Sequence, residues 1–297
     1  VADRNAKAAD AFASAFHVTA MSVDELIEHA NIDGIVIATG AASHDELALA
    51  GLNATKHIYI EKPLSLTLAG AHAIRDAADT AQRQVMVGHL IRYHTAFIEL
   101  QKQLAAGAIG SLCHVQANRL AMGRIRTTES VLFDLCPHDL SLILALIGDL
   151  PKKFHCIGAS HMTPGVVDFL TSFLGFDGGI SAGMQTSWLS PFKEHRLTVT
   201  GSAGALVFDD TKPWPEKLTL FQDQMQLNGE HFLIDRERPI TLPLTETEPL
   251  KAEMQAFIQS CDNNSPTLTD INEAIAVQQV LEMLQNYLID TSLKSEI

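Results

Sequence analysis

No part of this sequence carries the uninterrupted apolar run of about 18 residues that a membrane-crossing helix needs. Cysteine is scarce as well. Cys113, Cys136, Cys156 and Cys261 are widely scattered and form no CxxC pair, which predicts reduced thiols rather than a disulfide framework. Among the 13 histidines there is no HExxH, and His89/His94 and His155/His161 have poor ligand spacing, so no metal site is expected. Positive charge is the remaining deficit. With 21 Lys+Arg against 35 Asp+Glu the net charge is −14, which argues against nucleic acid or an anionic membrane as a partner. The opening residues Val1-Ala2-Asp3-Arg4-Asn5 lack the basic-then-apolar order of a signal peptide. With the thiols, this predicts a cytoplasmic protein.

What is present is an ordinary globular composition, 46% hydrophobic and 19% charged over 297 residues, enough for one large domain or two moderate ones. The few basic residues are not evenly spread. Between His89 and Arg126 stand Arg92, Lys102, Arg119, Arg124 and Arg126 against the single acid Glu99. Such an island suits an anionic small molecule, and solvated surface arginines would give the same count.

The first ninety residues alternate short apolar runs with amphipathic segments. Ser22-x-x-Glu25 and Ser43-x-x-Glu46 read as capping boxes, the first opening a helix to about Ala30 and the second a helix to about Asn53. Strands are expected at 33–39, 57–60 and 84–89, with a further helix at 67–80, so this half predicts βαβ units and a parallel sheet. Near residue 110 the pattern changes. A long strand at 110–120 precedes a basic loop and a helix over about 132–147. Six extended segments then run from 153 to 222, with Gly178-Gly179 as a hairpin turn, and helices at about 248–262 and 270–289 close the chain. This half predicts an open, mostly antiparallel sheet with helices on one face. The reading is α/β, with domains at 1–92 and 93–297 and the C-terminal helices able to return to the first domain.

Three places could carry chemistry. Glu61-Lys62-Pro63 falls at the carboxyl end of a predicted parallel strand, where open α/β sheets bind ligands, and a lysine there can meet a substrate hydroxyl. A surface turn is the plainer reading of those three residues alone. Asp134 and His138 are four apart in an apolar helical segment. That spacing puts a carboxylate beside an imidazole, although Pro137 weakens the helix up to that point and ordinary capping groups would look similar. Ala38–His44 is a small-residue turn between strand and helix, suited to close approach of an anion.

In register, these pieces resemble the glucose–fructose oxidoreductase / inositol dehydrogenase / rhizopine-catabolism (Gfo/Idh/MocA) family. The resemblance rests on IATGAASH at 37–44, EKPLSLT at 61–67, VGHLIRYH at 87–94, AGAIGSLCHVQANR at 106–119, the Asp134/His138 segment and TDINEAIAVQQVLEML at 269–284. NRLAMGRIR, CPHDLSLILALIG and SWLSPFKEHRL look most like members acting on nucleotide-linked amino sugars. The resemblance implies hydride transfer from a sugar carbon, C3 of a UDP-N-acetylhexosamine, to NAD. Lys62 and His138 would be the acid/base pair, converging on one cleft, with Asp134 orienting His138 or touching the sugar. It further implies that Thr39, Ser43, His44, Glu61, Lys62 and Pro63 line the cofactor site, with a cis bond before Pro63. Arg92, Tyr93, Asn118, Arg119 and Arg124 would then touch the substrate. Asp3, ending a strand, would take the adenosine ribose hydroxyls and favour NAD, while Arg4 leaves NADP open. Family members open on a strand and a GxGxxG turn that this sequence does not contain, so the parallel sheet is expected to be N-terminally truncated and the strand at 33–39 to show an unpartnered edge. A homodimer or homotetramer through the open sheet is also expected. A free polyol or inositol as substrate, or a non-catalytic ligand sensor on the same fold, are the alternatives.

Overall fold

The computed structural model describes residues 1–123 and 125–294, without the side chains of 224–227, 232 and 290–294. The chain forms two units, Val1–Gly88 with Met254–Ile275 and His89–Glu253 with Ala276–Ile297.

The first unit starts with helices α1 (Ala6–Phe16) and α2 (Val23–Glu28). The Ser22/Glu25 capping box forms: Glu25 N donates to the Ser22 hydroxyl at 3.2 Å, and Ser22 N to the Glu25 carboxylate at 2.8 Å. Strand β1 (Gly34–Ile37), helix α3 (His44–Asn53), β2 (His57–Ile60), α4 (Leu68–Ala81) and β3 (Val85–Val87) follow. The strands pair in parallel in the order β1-β2-β3, which leaves the outer edge of β1 unpaired among the described residues. Every residue of β2 is buried, as its central place requires. Ala48 and Leu52 of α3 and Ala71, Ile74 and Ala78 of α4 pack on Ile35, Ile37, Ile58 and Ile60. Burial of each larger side chain is worth roughly 1.5–3 kcal/mol. The strand expected to end at Asp3 is not formed. Asp3 instead stands exposed at the entry to α1, accepting from Asn5 N at 2.7 Å, and Arg4 is exposed beside it.

The second unit contains α5 (Thr95–Ala105), β4 (Leu112–Met122), α6 (Val131–Asp134), α7 (Cys136–Ile147), β5 (Lys153–Ala159), β6 (Phe169–Gly175), β7 (Ser181–Ser187), β8 (Leu189–Gly201), β9 (Gly204–Asp209), β10 (Leu218–Phe221), the β11–β12 ribbon (Gln224–Asn228, His231–Asp235) and β13 (Ile240–Thr241). Its eight-stranded sheet runs β13-β10-β9-β8-β4-β7-β6-β5, antiparallel except for β4 against β7. The single helix expected over 132–147 is two. Pro137 has no N–H to give, its ring would clash with the Phe133 carbonyl one turn back, and the chain breaks at Leu135 (φ −108°). One sheet face packs Val115, Leu170, Met184, Val199 and Phe208 against α7 and the last helix. The other carries His114, Gln116 and Asn118, with Phe173 49% and Ile157 75% exposed.

Helices α8 (Pro249–Asn263) and α9 (Ile271–Lys294) end the chain. Asp270 caps α9, accepting from Asn272 N at 3.0 Å and Glu273 N at 2.9 Å. The first turns of α9 give Ile271, Ala274 and Ile275 to the core of the first unit, and later turns give Val277, Val280, Leu281 and Leu284 to that of the second.

Candidate functional site

In the first unit the candidate residues gather at the carboxyl ends of β1 and β2. The ladder extends past the strands: Glu61 N donates to Ile37 O at 2.9 Å, and Gly88 N to Ile60 O at 2.8 Å. His44, 1% exposed, ties the two loops together, with Nδ1 2.8 Å from Pro63 O and Nε2 3.1 Å from Thr39 O. A neutral imidazole has one N–H and can donate to only one of these carbonyls at a time. The Ser43/Glu46 capping box does not form. The Ser43 hydroxyl turns back, donating to Gly40 O at 2.9 Å and lying 2.8 Å from the Thr39 hydroxyl. The first turn of α3 also holds Asp45 and Glu46, which already answer its dipole, so this helix start is a poor anion site.

Glu61 is braced from both sides, its Oε1 3.4 Å from the Tyr59 hydroxyl and its Oε2 accepting from Lys62 N at 3.3 Å. Tyr59 is itself held edge-on by Phe257, centroids 5.8 Å apart. Lys62 is half-buried, and the Lys62–Pro63 bond is cis. A dinucleotide needs hydroxyl donors and close backbone approach at such strand ends. Thr39, Ser43 and Gly40 fit this requirement: a Cβ built on Gly40 would meet nothing within 4 Å. Along β1 runs a cavity of about 410 Å³ lined by apolar residues, including Leu26, Ile27, Ile35 and Val36.

In the second unit Asp134 ends α6 and is 8% exposed. Its Oδ1 accepts from Arg126 Nη2 at 2.9 Å and its Oδ2 from the Trp188 indole Nε1 at 3.1 Å. Arg126 also meets Glu129 at 3.2 Å. His138 is half-buried in the first turn of α7, and its carbonyl accepts from the Ser141 hydroxyl at 2.9 Å. Neither Arg126 nor Trp188 is among the residues expected from the sequence. Arg126 could have been read from the same basic island as Arg124, whereas nothing in the pattern points to Trp188.

The island of expected substrate contacts is dispersed. Arg119 is 7% exposed and donates through Nε (3.0 Å) and Nη2 (2.7 Å) to Oδ1 of Asp139, a neighbour of His138. Asn118 faces the opposite side of the sheet, donating to Glu194 at 2.8 Å and accepting from Gln116 at 2.9 Å. Strand alternation requires this, since neighbouring residues point to opposite faces. Arg92 is 7% exposed, with Nη1 3.4 Å from Ser141 O, and Tyr93 is 6% exposed. Arg124 lies outside the described residues.

Burial pushes the Asp139 carboxyl above its ordinary range while Arg119 pulls it back. Across the strand pair His195 is pushed down to about 4, by burial first and then by the charges of Arg119 and Lys193. A second cluster surrounds Asp210, which binds Lys217 Nζ at 2.7 Å and lies 3.5 Å from His94 Nε2, with Trp214 stacked on His94 at 4.7 Å. Burial alone would raise Asp210, yet the bonds from His94 and Lys217 outweigh it and hold the group below the carboxylate range. Burial pushes the Cys136 thiol up to about 12, so that sulfur is no nucleophile. Among the described residues no three His, Cys, Asp or Glu side chains are grouped to hold a metal, and no helix is long and apolar enough to cross a membrane.

Residues 1–89 match the family model described as the oxidoreductase family with an NAD-binding Rossmann fold, and residues 97–207 match the GFO/IDH/MocA C-terminal domain. The chain is 24% identical over 253 residues to the myo-inositol 2-dehydrogenase of Thermotoga maritima, covering 82% of this chain and 73% of that protein. It is 30% identical over 189 residues to the UDP-N-acetylglucosamine 3-dehydrogenase of Acidithiobacillus ferrooxidans, covering 63% of this chain and 58% of that one. The solved structure of the A. ferrooxidans enzyme superposes with a TM-score of 0.84 at 24% identity, over 97% of this chain and 88% of that one. At that identity the likeness speaks for the fold.

Proposed function

We propose, from the premise that this chain belongs to the GFO/IDH/MocA family of NAD-binding oxidoreductases, that it oxidises a secondary hydroxyl of a sugar. The observation that carries this reading is the junction in the first unit. His44 ties the loop bearing Thr39 and Ser43 to the loop bearing Glu61 and Lys62, at strand ends suited to a dinucleotide. Thr39, Ser43, His44, Glu61, Lys62 and Pro63 are the residues that would hold the nicotinamide half. NAD, when bound, supplies the two-electron acceptor for the hydrogen leaving carbon.

The chain's own residues then have two tasks. The hydroxyl gives up its O–H proton while its C–H hydrogen departs with both electrons and the C=O bond forms. Lys62 or His138 takes that proton, and Asp134, at the end of α6, supplies a fixed carboxylate ahead of the helix that carries His138. Positioned proton transfer of this kind is worth about 10²–10⁴ in rate.

The substrate proposed first is a UDP-N-acetylhexosamine oxidised at C3. One observation favours a free polyol as a second reading. Arg119 spends its charge on Asp139, and Arg92 is buried, which withdraws two of the cations a diphosphate would use. The test is NADH formation by the parent chain and by Lys62→Ala with UDP-N-acetylglucosamine and with myo-inositol. Turnover of either, lost by about 10²–10⁴ in Lys62→Ala, is expected. An undiminished Lys62→Ala would remove the lysine from the chemistry, and the larger kcat/KM names the substrate class.

A further inference from the structure

We propose that Trp188 is a positioning residue for Asp134, its indole N–H setting the direction of the carboxylate beside the proton-handling helix. The inference rests on the dehydrogenase reading above.

Helix α6 is a single turn, Val131–Asp134, far too short to be stable by itself. It is held from outside at each end. Val131 N donates to Val167 O at 2.8 Å, and at the other end Asp134 is gripped at both carboxylate oxygens by Arg126 and Trp188. Two donors on two oxygens remove the freedom of the carboxylate to rotate about its last bond.

The two donors differ in what they can do. Arg126 sits on the loop after β4, its side chain 37% exposed and shared with Glu129, so it supplies charge from a compliant support. Trp188 follows β7, is 3% exposed, and is built into the sheet end through its backbone N–H, which donates to Asp168 O at 3.2 Å. Asp168 in turn is 1% exposed and is fixed by His161 N and Met162 N, each at 2.7 Å. A neutral, rigid donor gives direction and adds no second positive charge to the one that Arg126 already places on Asp134.

The experiment is a double-mutant cycle in the full chain, Trp188→Phe against Asp134→Asn, with NAD⁺ and whichever of UDP-N-acetylglucosamine and myo-inositol the parent turns over. Trp188→Phe keeps the ring and deletes the donor. It should lower kcat about tenfold, the lower end for a lost hydrogen bond to a charged group, with KM for NAD⁺ unchanged. On the Asp134→Asn background the same change should cost less than about twofold, because the partner it acts through is gone. Equal losses in both backgrounds would make Trp188 a packing residue, and no loss in either would overturn its role. If Asp134→Asn alone is silent, the assignment of Asp134 has failed, and that failure shows before Trp188 is altered. A second readout needs no turnover. With ¹⁵N-indole tryptophan, and Trp214→Phe to assign the two resonances, Asp134→Asn must move the Trp188 N–H signal. An unmoved signal overturns the contact itself.

Discussion

Removing the guanidinium of Arg119 should be among the most damaging single changes in the second unit. Its side chain is 9% exposed and that of Asp139 4%, and both bonds fall on Oδ1 of Asp139. Oδ2 of that carboxylate has no partner within the described residues, and beside it is a cavity of about 10 Å³, room for one water. Arg119→Met therefore strands a buried carboxylate with at most a water to solvate it. Breaking a buried pair from one side costs about 3–5 kcal/mol. At roughly 2–4 °C per kcal/mol for a domain of this size, Tm should fall by about 6–20 °C. Arg119→Met/Asp139→Leu should recover most of the loss, since a buried pair replaced by apolar groups is often neutral. The pH dependence gives a separate check. Asp139 has a raised folded-state pKa, so over the window between its unfolded and folded values the native state binds the extra proton and stability falls as pH rises. Without Arg119 that folded value rises further, so the deficit of Arg119→Met should grow as pH rises above the ordinary carboxylate range and shrink as pH falls back into it. Urea titrations at several pH values measure it. A deficit below about 1 kcal/mol, or one independent of pH, would refute the claim that the pair holds a charge in the dry interior.

His195 titrates in the folded state only near pH 4, so the unfolded chain takes the proton first. Its contribution to stability is present above its unfolded value and is lost as pH falls toward 4, so His195→Gln should flatten the stability–pH curve between about 7 and 4. His44→Ala should leave the Thr39 and Pro63 carbonyls without their partner, at about 1–3 kcal/mol, and raise KM for NAD⁺; an unchanged melting curve and KM would deny the tie. Gly201→Ala should lower Tm, because its Cβ would lie 2.1 Å from the backbone oxygen of Ile109 and overpacking costs typically about 1–3 kcal/mol. The exposed Phe173 and Ile157 on the open sheet face predict a dimer or tetramer, and a monodisperse mass near 32.3 kDa by light scattering would exclude it.

Hydrophobic periodicity carried most of the architecture. The strand at 57–60 and the helix capped by Thr67 stand where the pattern puts them, because apolar period and capping chemistry agree there. Two of the failures share a cause. The spacing of Asp134 and His138 predicts one helix, but Pro137 breaks it; the proline is visible in the sequence, while the resulting two-helix geometry depends on Trp188 and Val167, residues remote in sequence. The arginine island was a count along the chain. A strand sends Asn118 and Arg119 to opposite faces, and only the partner on the facing helix, Asp139, decides whether an arginine meets a ligand or the interior. Ser43 matched a capping box and makes none, because the Thr39 hydroxyl and the Gly40 carbonyl compete for it locally.

The first unit is discontinuous, and this has a consequence for how the chain is made. Its core waits for Ile271, Ala274 and Ile275, and the N–H of Val87 waits for the carbonyl of Thr269. On a ribosome emitting about 5–20 residues per second, some 180 residues separate β3 from those partners, so the nascent parallel sheet stands incomplete for roughly 9–36 seconds. The strands of the large mixed sheet emerge within that interval, but their core waits in turn for Val277, Val280, Leu281 and Leu284 of the same helix, so neither unit can close until α9 has been made.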